Sequence, residues 1–249
     1  MLEVKQVSKN FGGVKAVENI SLKLAEREIT GLIGPNGSGK TTLFNLITRT
    51  LPLSGGEILF QGNPINNLSP SEVCRRGISR THQIPRPFRS LSARQNVALA
   101  YLYGRNQDRD RRKAEHEADR LLEMVGLADY ARKQASELND VQCKVLELAR
   151  SLATEPRLLL LDEILAGLNP TELIQFQELI LRIRSELNIT IFWCEHIMRI
   201  LMKTVDRVIC LDYGRMVCEG LPREVANNPE VIECYLGKTA VSSPPSGTK

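Results

Sequence analysis

No stretch of this 249-residue sequence approaches the roughly 20 consecutive apolar residues that span a bilayer. No leader of the secretory kind is read at its start, because Glu3 and Lys5 interrupt the first apolar stretch. A soluble protein is expected, docked on a membrane at most through a partner. An excess of one charge is also missing. The 33 basic residues stand against 29 acidic ones, and a net of +4 leaves no strong nucleic-acid footprint. Even the most basic run, Arg105 to Lys113, has no interleaved aromatic residue, so it reads as a solvated face. The six cysteines (Cys74, Cys143, Cys194, Cys210, Cys218 and Cys234) include no C-x-x-C pair and read as buried thiols in a reducing compartment. No internal repeat is visible. The only biased segment is the tail beyond Lys238, where Val241 to Gly247 is too rich in serine and proline to pack.

What the sequence does contain is a phosphate-binding loop. Gly34-Pro35-Asn36-Gly37-Ser38-Gly39-Lys40-Thr41-Thr42 fits G-x-x-x-x-G-K-[ST]. Its glycines let the backbone curl until successive N–H groups point inward and form a nest for anionic oxygens. Lys40 can reach the outer phosphates as a point charge, and the Thr41 hydroxyl can ligate Mg²⁺. The context fits: Ile29 to Ile33 reads as a buried strand, and Leu43, Leu46 and Ile47 form a helical apolar stripe after the loop. The length suits one large α/β domain or two small ones.

Along the rest of the chain, Leu2, Val4 and Val7, and then Ile20, Leu22 and Leu24, alternate with polar residues as in an antiparallel hairpin or meander. Phe11, beside Gly12-Gly13, either fills the core or stacks on a base; by residue type alone, core is favoured. Gly56 to Gly62 is a short strand between turns, and Ser69-Pro70 starts a short helix. Ile78 to Gln83 runs into Pro85 and Pro87, leaving Gln83 at a strand end where it can reach a site. Residues 89 to 153 read as helical: Leu91 to Leu102, Ala114 to Val125 stopped at Gly126, and Val141 to Ala153 capped by Asn139 or Asp140. Leu158 to Leu161 is a central parallel strand with Asp162 and Glu163 at its C-terminal end, where open α/β sheets bind ligands. Asp162 can hold Mg²⁺ opposite Thr41, and Glu163 can polarise an attacking water. Ile189 to Cys194 is a further buried strand, ended by Glu195-His196. That histidine either senses a γ-phosphate or is structural. Arg207 to Leu211 and Arg215 to Glu219 form a hairpin around Tyr213-Gly214, with short helices near Pro222 to Ala226 and Pro229 to Leu236.

Phosphate loop, Gln83, the helix at Val141, Asp162-Glu163 and His196 stand in a fixed order. That order resembles the nucleotide-binding subunit of an ATP-binding-cassette (ABC) transporter over residues 1 to 237. The resemblance implies an α/β P-loop NTPase fold: a RecA-like and β core (1–83 and 154–237), with an antiparallel β subdomain, a helical subdomain (84–153) and a flexible tail (238–249). It implies ATP and Mg²⁺ as cofactors, an adenine-stacking role for Phe11, and a Gln83 that contacts Mg²⁺ and couples the site to a membrane partner. It also implies Glu163 as catalytic base, His196 as γ-phosphate switch, and Ala166-Gly167-Leu168-Asn169 as the loop crossing a dimer interface. The closer likeness is to ATPases of branched-chain amino acid importers. It is carried by Gly31 to Gly37, Arg80 to Phe88, Ala166 to Glu172 and Asn227 to Gly237. Importers of urea and short amides share much of this pattern. Implied partners are two permeases, a second ATPase and a solute-binding protein, without nucleic acid, at the cytoplasmic face of the inner membrane. Soluble ABC ATPases of DNA repair or translation usually carry coiled-coil or zinc insertions or a second cassette, and none is visible here.

The likeness departs at two places, the first of them the signature. Where the family signature reads Leu-Ser-Gly-Gly-Gln, this chain has Leu138-Asn139-Asp140-Val141-Gln142. Asn139 can still donate through its amide, whereas Val141 puts a β-branched side chain where close backbone approach is wanted. Asp140 brings negative charge toward a triphosphate, and like charges ~4 Å apart repel by about 4 kcal/mol at an effective dielectric near 20. Either local shifts absorb this, or the chain is a poor lid for its partner's nucleotide. The second reading favours a heterodimer with unequal sites and keeps a regulatory, low-activity subunit in view. Ile164, where the family usually has proline after the glutamate, is expected to have a modest effect.

Overall fold

The early alternation closes into an antiparallel pair. β1 (Leu2–Phe11) and β2 (Val14–Leu24) align Leu2 with Leu24, Val4 with Leu22 and Val7 with Ile20, so the apolar residues land on one face. The computed structural model describes residues 1–105 and 110–236. It continues with β3 (Ile29–Ile33), α1 (Lys40–Ile47), β4 (Gly55–Phe60), β5 (Asn63–Pro64), α2 (Pro70–Arg76) and β6 (Ile78–Arg80). The helical stretch follows as α3 (Ala93–Tyr103), α4 (Arg111–Met124) and α5 (Asp140–Ala153). Then come β7 (Leu158–Asp162), α6 (Pro170–Leu187), β8 (Thr190–Cys194), α7 (Met198–Thr204), β9 (Arg207–Asp212), β10 (Arg215–Gly220), α8 (Pro222–Ala226) and α9 (Pro229–Leu236).

These strands form two sheets. One is antiparallel in the order β2-β1-β4-β5; the other runs β10-β9-β3-β8-β7-β6 and is parallel except for the β9–β10 hairpin. Strands β3, β7 and β8 are buried at every residue, which is why they read as unbroken apolar runs rather than as alternation. Their side chains feed two cores by parity. Leu158, Leu160, Phe192 and Leu211 face the antiparallel sheet, with α1 in between, while Leu159, Leu161, Ile191 and Trp193 face the helices. Leu43, Phe44, Leu46 and Ile47 of α1 are all fully buried between the sheets. Each such side chain contributes roughly 1.5–3 kcal/mol of transfer free energy, more than the ~1 kcal/mol of a side-chain cap. Packing therefore holds α1 with its N-terminus uncapped.

The expected helices are found, with shifted ends. Ser92 caps α3 and Asn139 caps α5, each through a reciprocal capping box with the Gln three residues on. Strand β6 stops at Arg80, so Gln83 lies on the loop three residues past it. The cysteines depart from expectation: Cys194 and Cys210 are buried, but the other four are only partly covered. Phe11 departs from the reading by residue type, being 47% exposed at the end of β1 and not in the core. Part of the basic run (106–109) and the tail from residue 237 lie outside the described residues.

Candidate functional site

The loop between β3 and α1 is built as its sequence requires. Gly34, Gly37 and Gly39 have φ of 149°, 80° and 102°. A Cβ on Gly34 would lie 2.2 Å from the Leu211 carbonyl oxygen, and one on Gly39 would lie 2.5 Å from that of Ala16. Gly39 opens α1 without any side-chain cap, unlike α2, α3, α5 and α6, whose first N–H groups are already bonded to their caps. The unclaimed donors and the helix dipole suit an anion. Lys40 is buried, and its ammonium donates to the carbonyls of Gly34 (2.8 Å) and Pro35 (2.9 Å). Ser38 Oγ is buried with no hydrogen-bond partner among the described residues. The loop encloses a cleft of about 170 Å³, lined by Asn36 to Thr42, by Ala16 and, from across the sheet, by Glu163.

Glu163 follows β7 with φ of 49°, a left-handed conformation that costs a residue with a side chain of order 1–2 kcal/mol. Three bonds hold it there. Its N–H donates to the Cys194 carbonyl (2.9 Å), Gln83 Nε2 donates to Oε2 (2.5 Å), and His196 Nε2 meets Oε1 (2.5 Å). Ile164, in place of proline, is 2% exposed and anchors the turn by burial instead. Gln83, Glu163 and His196, expected from three separate stretches of sequence, thus meet at one carboxylate.

Asp162 is buried and pairs through Oδ2 with Arg80 Nη2 at 2.6 Å, while Arg80 Nη1 donates to Asn45 Oδ1 and its guanidinium lies over the Phe44 ring. Asp162 Oδ1 has no partner among the described residues. An unsatisfied buried carboxylate oxygen is costly unless a donor or cation completes it, so Asp162 fits the hard, oxygen-seeking ion expected of this site. Arg80 was not singled out from sequence, yet the signal was present: a basic residue ends one buried strand beside a strand that ends in an acid. Glu195 was missed too. It is buried, its Oε1 accepts the Leu165 N–H (2.8 Å) and its Oε2 accepts the His196 N–H (3.2 Å). Burial pushes its carboxyl up to about 7 against those two bonds.

The signature residues lie apart from the phosphate loop, around a cleft of about 710 Å³ lined by Gln83 and Ile84 on one side and Asn139, Asp140, Val141 and Gly167 on others. Asn139 Oδ1 accepts the Gln142 N–H (2.8 Å) and Gln142 Oε1 accepts the Asn139 N–H (3.0 Å), so both residues serve the start of α5. Asp140 sits in the first turn, where the helix dipole favours an acid, and Leu138 is buried beneath. Ala166 and Leu168 flank Gly167 (φ 86°), and Asn169 caps α6 through bonds from the Thr171 and Glu172 N–H groups. Lys144 Nζ donates to the Ala166 carbonyl, joining α5 to this loop.

The same arrangement recurs among known proteins. A family model described as ABC transporter matches residues 17–166, and one described as branched-chain amino acid ATP-binding cassette transporter matches residues 215–241. The high-affinity branched-chain amino acid transport ATP-binding protein BraF of Pseudomonas aeruginosa is 36% identical over 250 residues, covering 96% of this chain and 98% of its own length. LivG, described in the same words, is 38% identical in Escherichia coli (strain K12) and 40% in Salmonella typhimurium, with the same coverage. Among solved structures, the ADP conformation of the cassette MJ1267 of an ABC transporter superposes with a TM-score of 0.84 at 28% identity, over 96% of this chain and 99% of that one. A nucleotide-free cassette from an ABC transporter gives 0.85 at 28% identity, over 96% and 99%. Loop, carboxylates, sheet order and relatives agree: the chain belongs to the ABC transporter family of ATPases, in its branch of ATP-binding subunits of branched-chain amino acid transporters.

Proposed function

We propose that this subunit hydrolyses ATP to energise import of branched-chain amino acids, or of a related small polar solute such as urea or a short amide, across the cytoplasmic membrane. The carrying observation is that the Lys40 loop and Glu163 line one cleft, with Gln83 and His196 on the Glu163 carboxylate. Loop N–H groups and Lys40 neutralise charge on the transferred phosphoryl group, Lys40 exchanging its two carbonyl bonds for phosphate oxygens. Glu163 orients the attacking water, His196 reports the γ-phosphate, and Phe11, exposed at the end of β1, stacks on adenine. Thr41, Gln83 and Asp162 would hold Mg²⁺, which when bound supplies further neutralisation of the phosphate oxygens. Residues 84–153 act as a helical subdomain, and Gln83 relays closure to two permeases at the membrane. Solute binding is assigned to other subunits of the complex, and among the described residues no helix is long and apolar enough to cross a membrane.

The signature stretch favours a heterodimer, with this chain's phosphate loop closed by a second ATPase. Reconstitution tests the reading. Vesicles carrying the permeases, both ATPases and the solute-binding protein should take up leucine on ATP and lose uptake with Lys40→Ala. Uptake unchanged by Lys40→Ala would assign this chain a regulatory role instead.

A further inference from the structure

The phosphate loop has a partner that no motif announces. The N–H of Gly34, its first residue, donates to the hydroxyl of Tyr235 at 2.7 Å, across 201 residues of sequence. Tyr235 belongs to α9, the last described helix, whose Val231 is 4% exposed and seated in the core. Gly34 is buried, so its N–H needs a partner within the protein. The space around it is tight, with Ser38 Oγ and the Leu211 carbonyl both crowding the position a Cβ would take. On the far side of the same residue, the Gly34 carbonyl accepts Lys40 Nζ at 2.8 Å. Gly34 is therefore held from both ends, by a tyrosine from the C-terminal helix and by the lysine that reaches for phosphate.

The two bonds differ in what happens when nucleotide arrives. Lys40 must leave its carbonyls to meet the phosphates, and Gly34 then depends on Tyr235 alone to keep the loop's entry fixed. We propose that Tyr235 is a positioning residue of the nucleotide site, making the C-terminal helix a working part of ATP binding. This rests on the reading of the loop as an ATP site. Without the hydroxyl, the Gly34 peptide is free to turn toward other acceptors, and only the fraction of molecules with an ordered loop binds well. Apparent affinity falls by that fraction. A tenfold loss corresponds to about 1.4 kcal/mol, within the range for orphaning a buried donor.

The test uses the purified full-length chain, with ADP binding followed by calorimetry and the Gly34 amide by hydrogen exchange. Tyr235→Phe keeps the ring and removes only the acceptor. It should weaken ADP binding about tenfold, speed exchange at Gly34, and raise KM for ATP with kcat little changed in the assembled complex. Val231→Ala loosens α9 while keeping the hydroxyl; it should lower the melting temperature with ADP affinity within about twofold of wild type. ADP affinity unchanged in Tyr235→Phe would overturn the proposal. So would equal weakening by Val231→Ala, which would make the role merely structural. Failure of the wild-type chain to bind ADP would instead defeat the ATP-site reading, and this inference with it.

Discussion

At the scale of single residues, the site is a set of charges each held by a named partner. Asp162 is the most exposed to a change of partner, because both it and Arg80 are withdrawn from water. Removing one member of a buried pair typically costs 3–5 kcal/mol. Arg80→Met is expected to lower the melting temperature by roughly 10 °C, and adding Asp162→Asn should recover part of that loss. A coupling energy near zero in the double-mutant cycle would mean that the pair is not linked as the distances indicate. Glu195 gives a pH signature. Its folded value of about 7 lies above the ordinary 4.5, so the folded chain holds this proton more tightly than the unfolded one. The contribution is present below about 4.5 and is lost as pH rises to about 7, so stability falls across that window. Glu195→Gln lacks the slope. Urea denaturation should show variant stability gaining on wild type by roughly 2–3 kcal/mol between pH 5 and pH 8. A constant offset across that range would contradict it.

At the scale of elements, α1 and α5 begin in opposite ways. α1 starts on a left-handed glycine with free N–H groups, whereas α5 starts on a closed capping box with an acid in its first turn. The residues by which this stretch departs from the family signature also make a better helix start. Asn139 supplies the cap, Asp140 suits the dipole, and Val141 avoids the ~1 kcal/mol that glycine costs in a helix. Restoring the family residues with Asp140→Gly and Val141→Gly should therefore lower stability by roughly 1–2 kcal/mol while raising ATP hydrolysis by the isolated chain. Lower stability with no gain in hydrolysis would show that the signature is not what limits this subunit alone.

At the scale of the whole molecule, what was legible in sequence follows from what is local. The buried strands, the antiparallel pairing at the start of the chain and the helices of residues 93 to 153 were readable because period and capping residues act over a few positions. The phosphate loop and the carboxylates at the end of β7 were readable for the same reason. The fold then brought Gln83 and His196 onto Glu163, a meeting that no local pattern stated. What was not legible is what distant stretches supply to each other. Arg80 meets Asp162 only because β6 pairs with β7, Glu195 meets Leu165 only where β8 ends beside the loop after β7, and Tyr235 arrives from the far end of the chain. Phe11 was misjudged by residue type because its place, at the end of a strand beside an open turn, is set by the sheet and not by its neighbours.

The same scale holds the central claim, that an intact phosphate loop here is half of a site whose other half comes from a different subunit. Sedimentation of the Glu163→Gln chain with MgATP, alone and mixed with the companion ATPase subunit carrying the equivalent substitution, tests it most directly. The chain alone should remain a monomer, and the mixture should form a one-to-one dimer that dissociates when ATP is exchanged for ADP. An ATP-dependent homodimer of this chain by itself, with cooperative hydrolysis by its wild-type form, would contradict the claim.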